Sequence, residues 1–568
     1  MKKILGIQKD HNAAACLFYD DELIYYNQEE RLSRIKKDSG LPIKTIQEIS
    51  KIVSEIDVLV ISGYDHFESE IFSIISSVQK LGLKLSSQFV YAPYHKSHHL
   101  FHAAKAFYSS DFDTALVVVQ DGRGSYYNLN NGGLAFETTS VFSVSSDNKF
   151  DLIYRRFFTN SDVSDDTKII WDNNFTQQKI DRPAYLNRQA KLEIRNDFDV
   201  GFMYEGTSRS FGFDDEGGKM LGMQSYGKHN DALPQILDEN LIFNMKVFDF
   251  SRHKKHQGFN RSNYLALADR DACVDFLFMV QKAFEKTGLH LINNMLDQTK
   301  QKNLILTGGT ALNVVANNFY RRQLPDDIDI YIEPLCGDEG NCIGACQHYY
   351  YEERKSAKVK KSLPIYICGN TPTYEFSLQE NEVEIAGIDA AVIADLIRCG
   401  HIIALFQGKG EAGPRALGNR SLLFDPRIKN GKDIVNAVKG REAFRPFAAA
   451  VMLEHANEWF DLGKLPESPF MMYAVDVIQD KSALIPSVVH VDETCRVQTV
   501  TVEQNQNLYN ILSAFNNVTG VPVLLNTSFN LAGDPIVETI HDAINSLRRS
   551  KIEYLYLPEI NKLLYIKN

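Results

Sequence analysis

The chain has 568 residues, 44% of them hydrophobic and 23% charged, and a formal net charge of −11 at neutral pH. Such a length exceeds what one hydrophobic core organises, so two or three domains are expected, and the acidic balance excludes a global attraction to nucleic acid or to an anionic membrane. No apolar run is long enough for a membrane helix, the first apolar stretch is broken at Lys9, Asp10, His11 and Asn12 and does not read as a secretory leader, and the eight scattered cysteines lack paired CxxC spacing, so reduced thiols and a cytoplasmic location are expected.

In chain order, residues 4–7, 14–18 and 23–26 are strand-like runs separated by short turns, a β-meander, and a helix follows the charged segment 28–31. Residues 58–62 and 115–119 read as buried strands and 134–144 as a return strand. Residues 150–200 are polar and irregular and read as an insertion or lid. Residues 270–297 predict a long amphipathic helix with Phe276, Val280, Phe284 and Leu289 on its apolar side. Asn303 to Thr307, Gly308-Gly309 and Thr310 to Asn313 predict a strand, a tight turn and a helix start, a geometry that brings backbone amides close to a ligand. Residues 352–364, polar and basic and ended by Pro364, read as a linker between a domain over 1–351 and a second over 365–568, where strand and helix patterns alternate again. The class expected is α/β.

Two constellations carry chemistry. His98 and His102 lie four apart in HHLFHA, which on a helix stacks both imidazoles on one face. Asp121 closes the strand-like run at 115–119, and Asp338 sits in a turn between Gly337 and Gly340. Two imidazoles and two carboxylates suit a divalent metal such as Fe, Mn or Zn, whereas an HxxxH pair by itself is more often structural. The second constellation is rich in arginine and glycine. It comprises 408–421 with Arg415, the run from Lys439 to Arg445, HVDETCRVQT with Arg496, and LLNTSFN with Asn526 and Ser528. Glycines permit close backbone approach and guanidinium forks grip phosphate oxygens, so an anion or nucleotide site is expected; it is not a Walker loop, because no GxxxxGK[ST] is present. A third feature is the basic run 251–261, which with Lys179, Arg182, Tyr185, Arg188, Lys191 and Arg195 offers charges and an aromatic to a nucleic-acid groove, or forms a solvated charged loop.

The strings HHLFHA, QDGRG, EGGKMLGMQSYG, GGTALN, GDEGNCIGAC, GEAGPRALGNRSLLFDPR, REAFRPFA, HVDETCRVQTV and LLNTSFN span nearly the whole chain in one order. In them the chain resembles the ATP-dependent O-carbamoyltransferases that act on Nod factors, cephamycins and aminoglycosides such as tobramycin. The resemblance implies an N-terminal two-lobed actin/Hsp70-like domain and a C-terminal α/β domain like threonylcarbamoyl-AMP synthase. It implies that carbamoyl phosphate and ATP, with Mg, form carbamoyl-adenylate in the C-terminal domain, and that an acceptor hydroxyl receives the carbamoyl group at a metal site in the N-terminal one. His98, His102, Asp121 and Asp338 match the family's metal ligands, which usually hold Fe(II). Gly308, Gly309 and Asn313 match the adenosine-side loop, and Arg415, Lys439, Arg445, Arg496, Asn526 and Ser528 match the ATP and carbamoyl phosphate positions. His11 matches a histidine near the transfer centre, a base for the acceptor hydroxyl or a substrate contact. The sequence departs from the family at Asn12, Lys409, Ala449, Glu493 and Cys495. The implied acceptor is a hydroxyl of a sugar or other small metabolite. A hydroxymethylated base in DNA is the alternative that the basic run raises, and an actin-fold small-molecule kinase is the rival of another class.

Overall fold

The computed structural model describes residues 1–63, 68–92, 96–170, 190–213, 217–244, 270–355, 358 and 365–567. The basic run 251–261 lies outside them, as do Lys179, Arg182, Tyr185 and Arg188. The chain divides into two compact units, Met1–Glu29 with Asp38–Leu363, and Glu30–Lys37 with Pro364–Asn568.

The first unit contains two sheets built on the same plan. In the first, β1 (Lys3–Gln8), β2 (Ala14–Tyr19), β3 (Glu22–Gln28), β4 (Glu55–Ser62) and β5 (Lys84–Ala92) run in the order β3-β2-β1-β4-β5. The first three strands pair antiparallel, and β4 and β5 extend the sheet in parallel. The second sheet uses β6 (Ala115–Gln120), β7 (Tyr126–Leu129), β8 (Leu134–Val144), β9 (Phe150–Thr159), β10 (Ile169–Ile170), β11 (Lys191–Arg195), β12 (Asn303–Thr307) and β13 (Asp329–Ile332). Its spine repeats the plan: β9, β8 and β6 pair antiparallel, then β12 and β13 pair in parallel. This duplication is the two-lobed actin/Hsp70-like arrangement that the resemblance implies. The predicted meander and the strands over 58–62, 115–119 and 134–144 are all present.

The expected insertion needs correction. Residues 150–159 form β9, a full partner of β8, and Lys191–Arg195 forms β11 beside it. Polarity misled here because β9 carries Arg155 and Arg156 inward against buried acids, where the charges are paired rather than solvated. The described basic residues of this region are also neutralised: Lys191 pairs with Glu193 at 2.5 Å and Arg195 with Asp197 at 2.6 Å. The predicted long helix spans Arg270–Thr299, with Phe276, Val280 and Phe284 buried and Leu289 only partly so. The expected linker is not wholly a linker. The helix Asn341–Arg354 runs into it, and Lys358 donates to the carbonyls of Phe107, Ser110 and Phe112 in the first unit.

Two helices between the sheets position the histidine pair and Asp338. The helix His98–Ser109 is buried along its whole length and lies on the second sheet, Leu100, Ala103 and Phe107 meeting Val117, Val119 and Ile305. An all-round buried helix needs apolar and small residues on every face, which HHLFHAAKAFYS supplies apart from its polar anchors. The helix Asn341–Arg354 packs on the first sheet and against that helix.

The second unit is built on one mixed nine-stranded sheet. Its strands are β14 (Glu382–Ala386), β15 (Ile403–Phe406), β16 (Arg420–Phe424), β17 (Ala448–Met452), β18 (Ala474–Asp476), β19 (Thr494–Val500), β20 (Val523–Ser528), β21 (Tyr554–Leu557) and β22 (Lys562–Ile566). Their order is β14-β22-β21-β15-β16-β20-β17-β19-β18. Among the described residues no helix is long and apolar enough to cross a membrane.

The two helices of the first unit touch backbone to backbone. A Cβ added at Gly344 would stand 2.1 Å from the carbonyl oxygen of Phe101. Gly344→Ala is therefore expected to destabilise the protein by about 1–3 kcal/mol, through forced separation of the helices. Denaturant unfolding of the purified variant measures this, and an unchanged midpoint would contradict the packing described.

Candidate functional site

The first site forms where three chain segments end. The two histidines project from consecutive turns at the start of their helix, Asp121 follows the last residue of β6, and Asp338 begins a short 3-10 turn leading into Asn341–Arg354. All four are buried, and one ligand atom of each lies within 4.8 Å of every other. The Nε2 atoms of His98 and His102 are 3.2 Å apart. His98 Nε2 is 3.4 Å from Asp121 Oδ2 and 3.3 Å from Asp338 Oδ1, and His102 Nε2 is 3.8 Å and 3.3 Å from the same atoms.

These separations fit a metal. Four donors at bonds of about 2.1 Å in a tetrahedron stand about 3.4 Å apart. Two ring nitrogens and two carboxylates this close also repel one another unless a cation lies among them. In the metal-free protein a proton takes that role. Burial opposes an imidazolium at His98, but Asp338 and Asp121 overcome it and raise its pKa well above that of a free histidine. Burial likewise opposes ionisation of Asp121 and Asp338, and the histidines beside them nevertheless hold both below the usual carboxylate range.

The surroundings orient these ligands. The other oxygen of Asp121, Oδ1, accepts the Gly309 N–H at 3.1 Å. Gly308 adopts φ 87°, and a Cβ there would lie 2.3 Å from the Gln120 carbonyl, so the turn after β12 needs glycine to approach β6. Asn313 caps the helix Val314–Gln323 by accepting from Ala316 N, and its amide pairs with Gln281. His11 lies exposed on the turn between β1 and β2, outside the cluster. Its neighbour Asn12, at φ 52°, donates to Glu339 Oε2 at 3.3 Å, next to Asp338.

Sequence reasoning missed a buried polar network behind the histidines. Glu137 Oε2 pairs with Arg155 Nη1 at 3.1 Å, and Arg155 also donates to Ser140 Oγ and the Tyr127 hydroxyl. His99 Nδ1 lies 2.8 Å from Ser140 Oγ. Burial, and then His98, push the His99 pKa well below normal, so His99 stays neutral. The signal was a charged residue, Glu137, inside an otherwise apolar or hydroxyl-bearing strand.

The second unit assembles the other predicted residues. Lys439 ends the helix Gly431–Lys439 and donates to the carbonyl of Ser528 at the end of β20, with Ser528 Oγ at 3.4 Å and Asn530 Oδ1 at 3.3 Å. Arg496 on β19 and Asn526 on β20 both pair with Ala448 of β17, across one row of the sheet. The Asn526 amide donates to Gln498 Oε1 at 2.8 Å. Burial, then Arg415, Arg441 and Arg445, drive the Arg496 pKa well below normal; burial, then Arg441, Arg445 and Lys36, do the same to Lys439. The Nε of Arg496 is buried without a hydrogen-bond partner among the described residues. Mutually repelling cations gathered at strand ends are arranged to receive an anion. Arg441 and Lys36 join the expected set. Arg420 does not: its guanidinium donates to the carbonyls of Gln407, Gly408, Asn419 and Glu538 and shapes the loop.

Comparison with known proteins places both units. Residues 70–347 match the family description "Carbamoyltransferase N-terminus" and residues 394–563 match "Carbamoyltransferase C-terminus". The chain is 29% identical to nodulation protein NolNO of Sinorhizobium fredii over 96% of this chain and 78% of that one. It is 29% identical to nodulation protein NolO of Bradyrhizobium diazoefficiens over 81% and 77%. It is 27% identical to 3'-hydroxymethylcephem-O-carbamoyltransferase of Streptomyces clavuligerus over 58% and 61%.

Two outcomes are expected of the first site. His102→Ala loses bound divalent metal, read by elemental analysis; full retention would remove His102 from the ligand set. Metal uptake by the metal-free protein also expels the proton held at His98, because the raised pKa keeps that ring protonated at neutral pH. Affinity then falls as pH falls. Calorimetric titration in buffers of different ionisation enthalpy measures the released proton, and buffer-independent heats would contradict this.

Proposed function

The chain belongs to the carbamoyltransferase family, and on that premise we propose that this transferase is an ATP-dependent O-carbamoyltransferase working in two half-reactions, one in each unit. The observation that carries the division is the contrast between the sites. The second unit gathers Arg415, Lys439, Arg441, Arg445 and Arg496 as mutually repelling cations, a site for a polyanion, whereas the first gathers His98, His102, Asp121 and Asp338 as donors for a cation.

In the first half-reaction carbamoyl phosphate and Mg–ATP bind the second unit; water cleaves the phosphate from carbamoyl phosphate, and an oxygen of the carbamate so formed displaces pyrophosphate at the α-phosphorus of ATP, giving carbamoyl-adenylate, phosphate and pyrophosphate. Arg496, Arg415 and Arg445 grip phosphate oxygens, since guanidinium forks match them bidentately. The anion offsets the burial and the neighbouring cations that hold the Lys439 and Arg496 pKa values down, so binding and charging reinforce each other. Asn526 and Ser528 offer short polar groups at the strand end.

In the second half-reaction an acceptor hydroxyl oxygen attacks the carbamoyl carbon, the carbon–oxygen bond to AMP breaks, and the hydroxyl proton passes to a base. His11, exposed on its turn, is the candidate base. A divalent ion, Fe(II) by the resemblance and Mn or Zn by the donor set, would be held by His98, His102, Asp121 and Asp338, bind the adenylate phosphate and offset charge on departing AMP. Gly308, Gly309 and Asn313 lie on the turn that braces Asp121 and would meet the adenosine side. The proposed acceptor is a hydroxyl on a sugar or other small metabolite, the class to which the name of the Streptomyces relative points.

Arg496→Ala is expected to lower carbamoyl-phosphate-dependent pyrophosphate release from ATP by ten- to a hundredfold, since a lost charge-assisted contact is worth ~1.5–3 kcal/mol. The same variant should still use supplied carbamoyl-adenylate, followed by the mass gained by a hydroxyl acceptor. Wild-type pyrophosphate release from the variant would displace the site, and ADP rather than pyrophosphate from the native protein would make it a kinase.

A further inference from the structure

The second unit includes eight residues from the far end of the chain. After β3, Glu29 is fixed in the first unit, its carboxylate accepting from Lys44 N, Thr45 N and Thr45 Oγ1 at 2.8–2.9 Å. Residues Glu30–Lys37 then belong to the second unit. The chain returns at Asp38 and Gly40. The Asp38 carbonyl accepts from Ala13 N at 3.0 Å, and Gly40 exchanges both backbone hydrogen bonds with Asp10, in the turn that carries His11.

Two arginines of this excursion hold two loops. The buried Arg31 donates through Nη2 to the carbonyls of Glu411 and Gly413, at 3.3 and 3.1 Å. That loop leads directly to Arg415. Arg34 donates through Nη1 to the Ile536 carbonyl at 2.8 Å and through Nη2 to the Pro535 carbonyl at 2.9 Å. That loop follows Ser528 and Asn530, and its Ala532 N donates to the Lys439 carbonyl at 2.8 Å. Arg34 has φ 63°, a conformation few non-glycine residues adopt, so its placement is held by these contacts rather than by local preference. Lys36 lies close enough to Lys439 to disfavour its charge. Both forks grip carbonyls, which fixes loop position, and each arginine also has an acid beside its Nε, Glu30 at 3.9 Å from Arg31 and Asp542 at 3.6 Å from Arg34.

We propose that Arg31 and Arg34 are positioning residues of the anion site of the second unit, and that residues Glu30–Lys37 are a working part of that site. The proposal rests on reading that site as the one that binds ATP. It makes the register of the loops at Arg415 and Asn530 depend on a segment hundreds of residues away in the chain.

The test uses the full-length chain as wild type, Arg34→Ala, Arg34→Lys and Arg31→Lys. ATP binding is measured by calorimetric titration, carbamoyl-phosphate-dependent pyrophosphate release by steady-state kinetics, and use of supplied carbamoyl-adenylate by mass. Arg34→Ala is expected to weaken ATP binding and raise the KM roughly tenfold or more, from two lost charge-assisted contacts, while use of carbamoyl-adenylate is unchanged. Arg34→Lys should recover part of the loss, because an ammonium reaches one carbonyl where the fork reaches two. Arg31→Lys should behave like Arg34→Ala, and should it fail to fold, Arg34, whose side chain is partly exposed, decides the matter. Wild-type ATP affinity and KM in Arg34→Ala overturn the proposal. A native protein that binds ATP, loses affinity on Arg34→Ala and yet never releases pyrophosphate refutes the proposed reaction and leaves the positioning role standing. A native protein that binds no ATP overturns both.

Discussion

The near-contact of two helix backbones at Gly344 and Phe101 sets the distance on which the histidine–aspartate cluster depends. Phe101 precedes His102, and the helix bearing Gly344 begins just after Asp338. Any side chain at Gly344 separates the imidazoles from that carboxylate. A buried ion pair reinforces the contact: Lys105 Nζ reaches Glu333 Oε1 at 2.8 Å, and Glu333 also accepts from Leu335 N and the Tyr331 hydroxyl. Glu333 leads out of β13 toward Asp338, so the histidine helix and the Asp338 turn are tied at two levels. Asp121 is held separately, by the Gly309 N–H and by Gly201, where a Cβ would lie 2.3 Å from the Asp121 carbonyl. Backbone approach places the four ligands, and side-chain chemistry then makes the place useful.

The two units manage buried charge in opposite ways. In the first, three cations with little exposure meet acids: Lys105 with Glu333, Arg155 with Glu137, Arg156 with Asp197. Such pairs rigidify, because removing one partner strands the other in a low-dielectric interior. In the second unit the arginines divide. Those that donate to backbone carbonyls build loops, as Arg420 does while stacking 3.8 Å from the Phe406 ring. Glu411 complements it by accepting the backbone N–H groups of Leu417, Asn419 and Arg420. Arg496 is instead buried among cations, and burial and those neighbours drive its pKa down. What a guanidinium donates to separates scaffold from ligand-binding roles better than its exposure does.

Sequence pattern singled out the four residues that the fold brings together because each sits at a punctuation mark: a histidine pair at helical spacing, an aspartate closing an apolar run, an aspartate between glycines. It singled out the cationic residues of the second unit through glycine and arginine density. It named Arg496 and passed over Arg420 inside the run 408–421, and neither role follows from local sequence, because the two differ in what lies opposite each guanidinium. It read β9 as irregular, because a strand whose arginines face buried acids looks the same in one dimension as a solvated loop. Nothing in the local sequence of residues 30–37 announces that they leave one unit for the other.

Residue order alone determined the period of the strands and helices, the spacing of His98 and His102, and the turn residues that end β6 and β12, because these follow from hydrophobic alternation and from the φ/ψ needs of glycine within a few residues. Tertiary structure decided which charges are neutralised, that Asp338 meets His98 across the chain, and that Arg31 and Arg34 serve loops hundreds of residues away. Those outcomes depend on through-space electrostatics and close packing between segments remote in sequence, which no local pattern encodes.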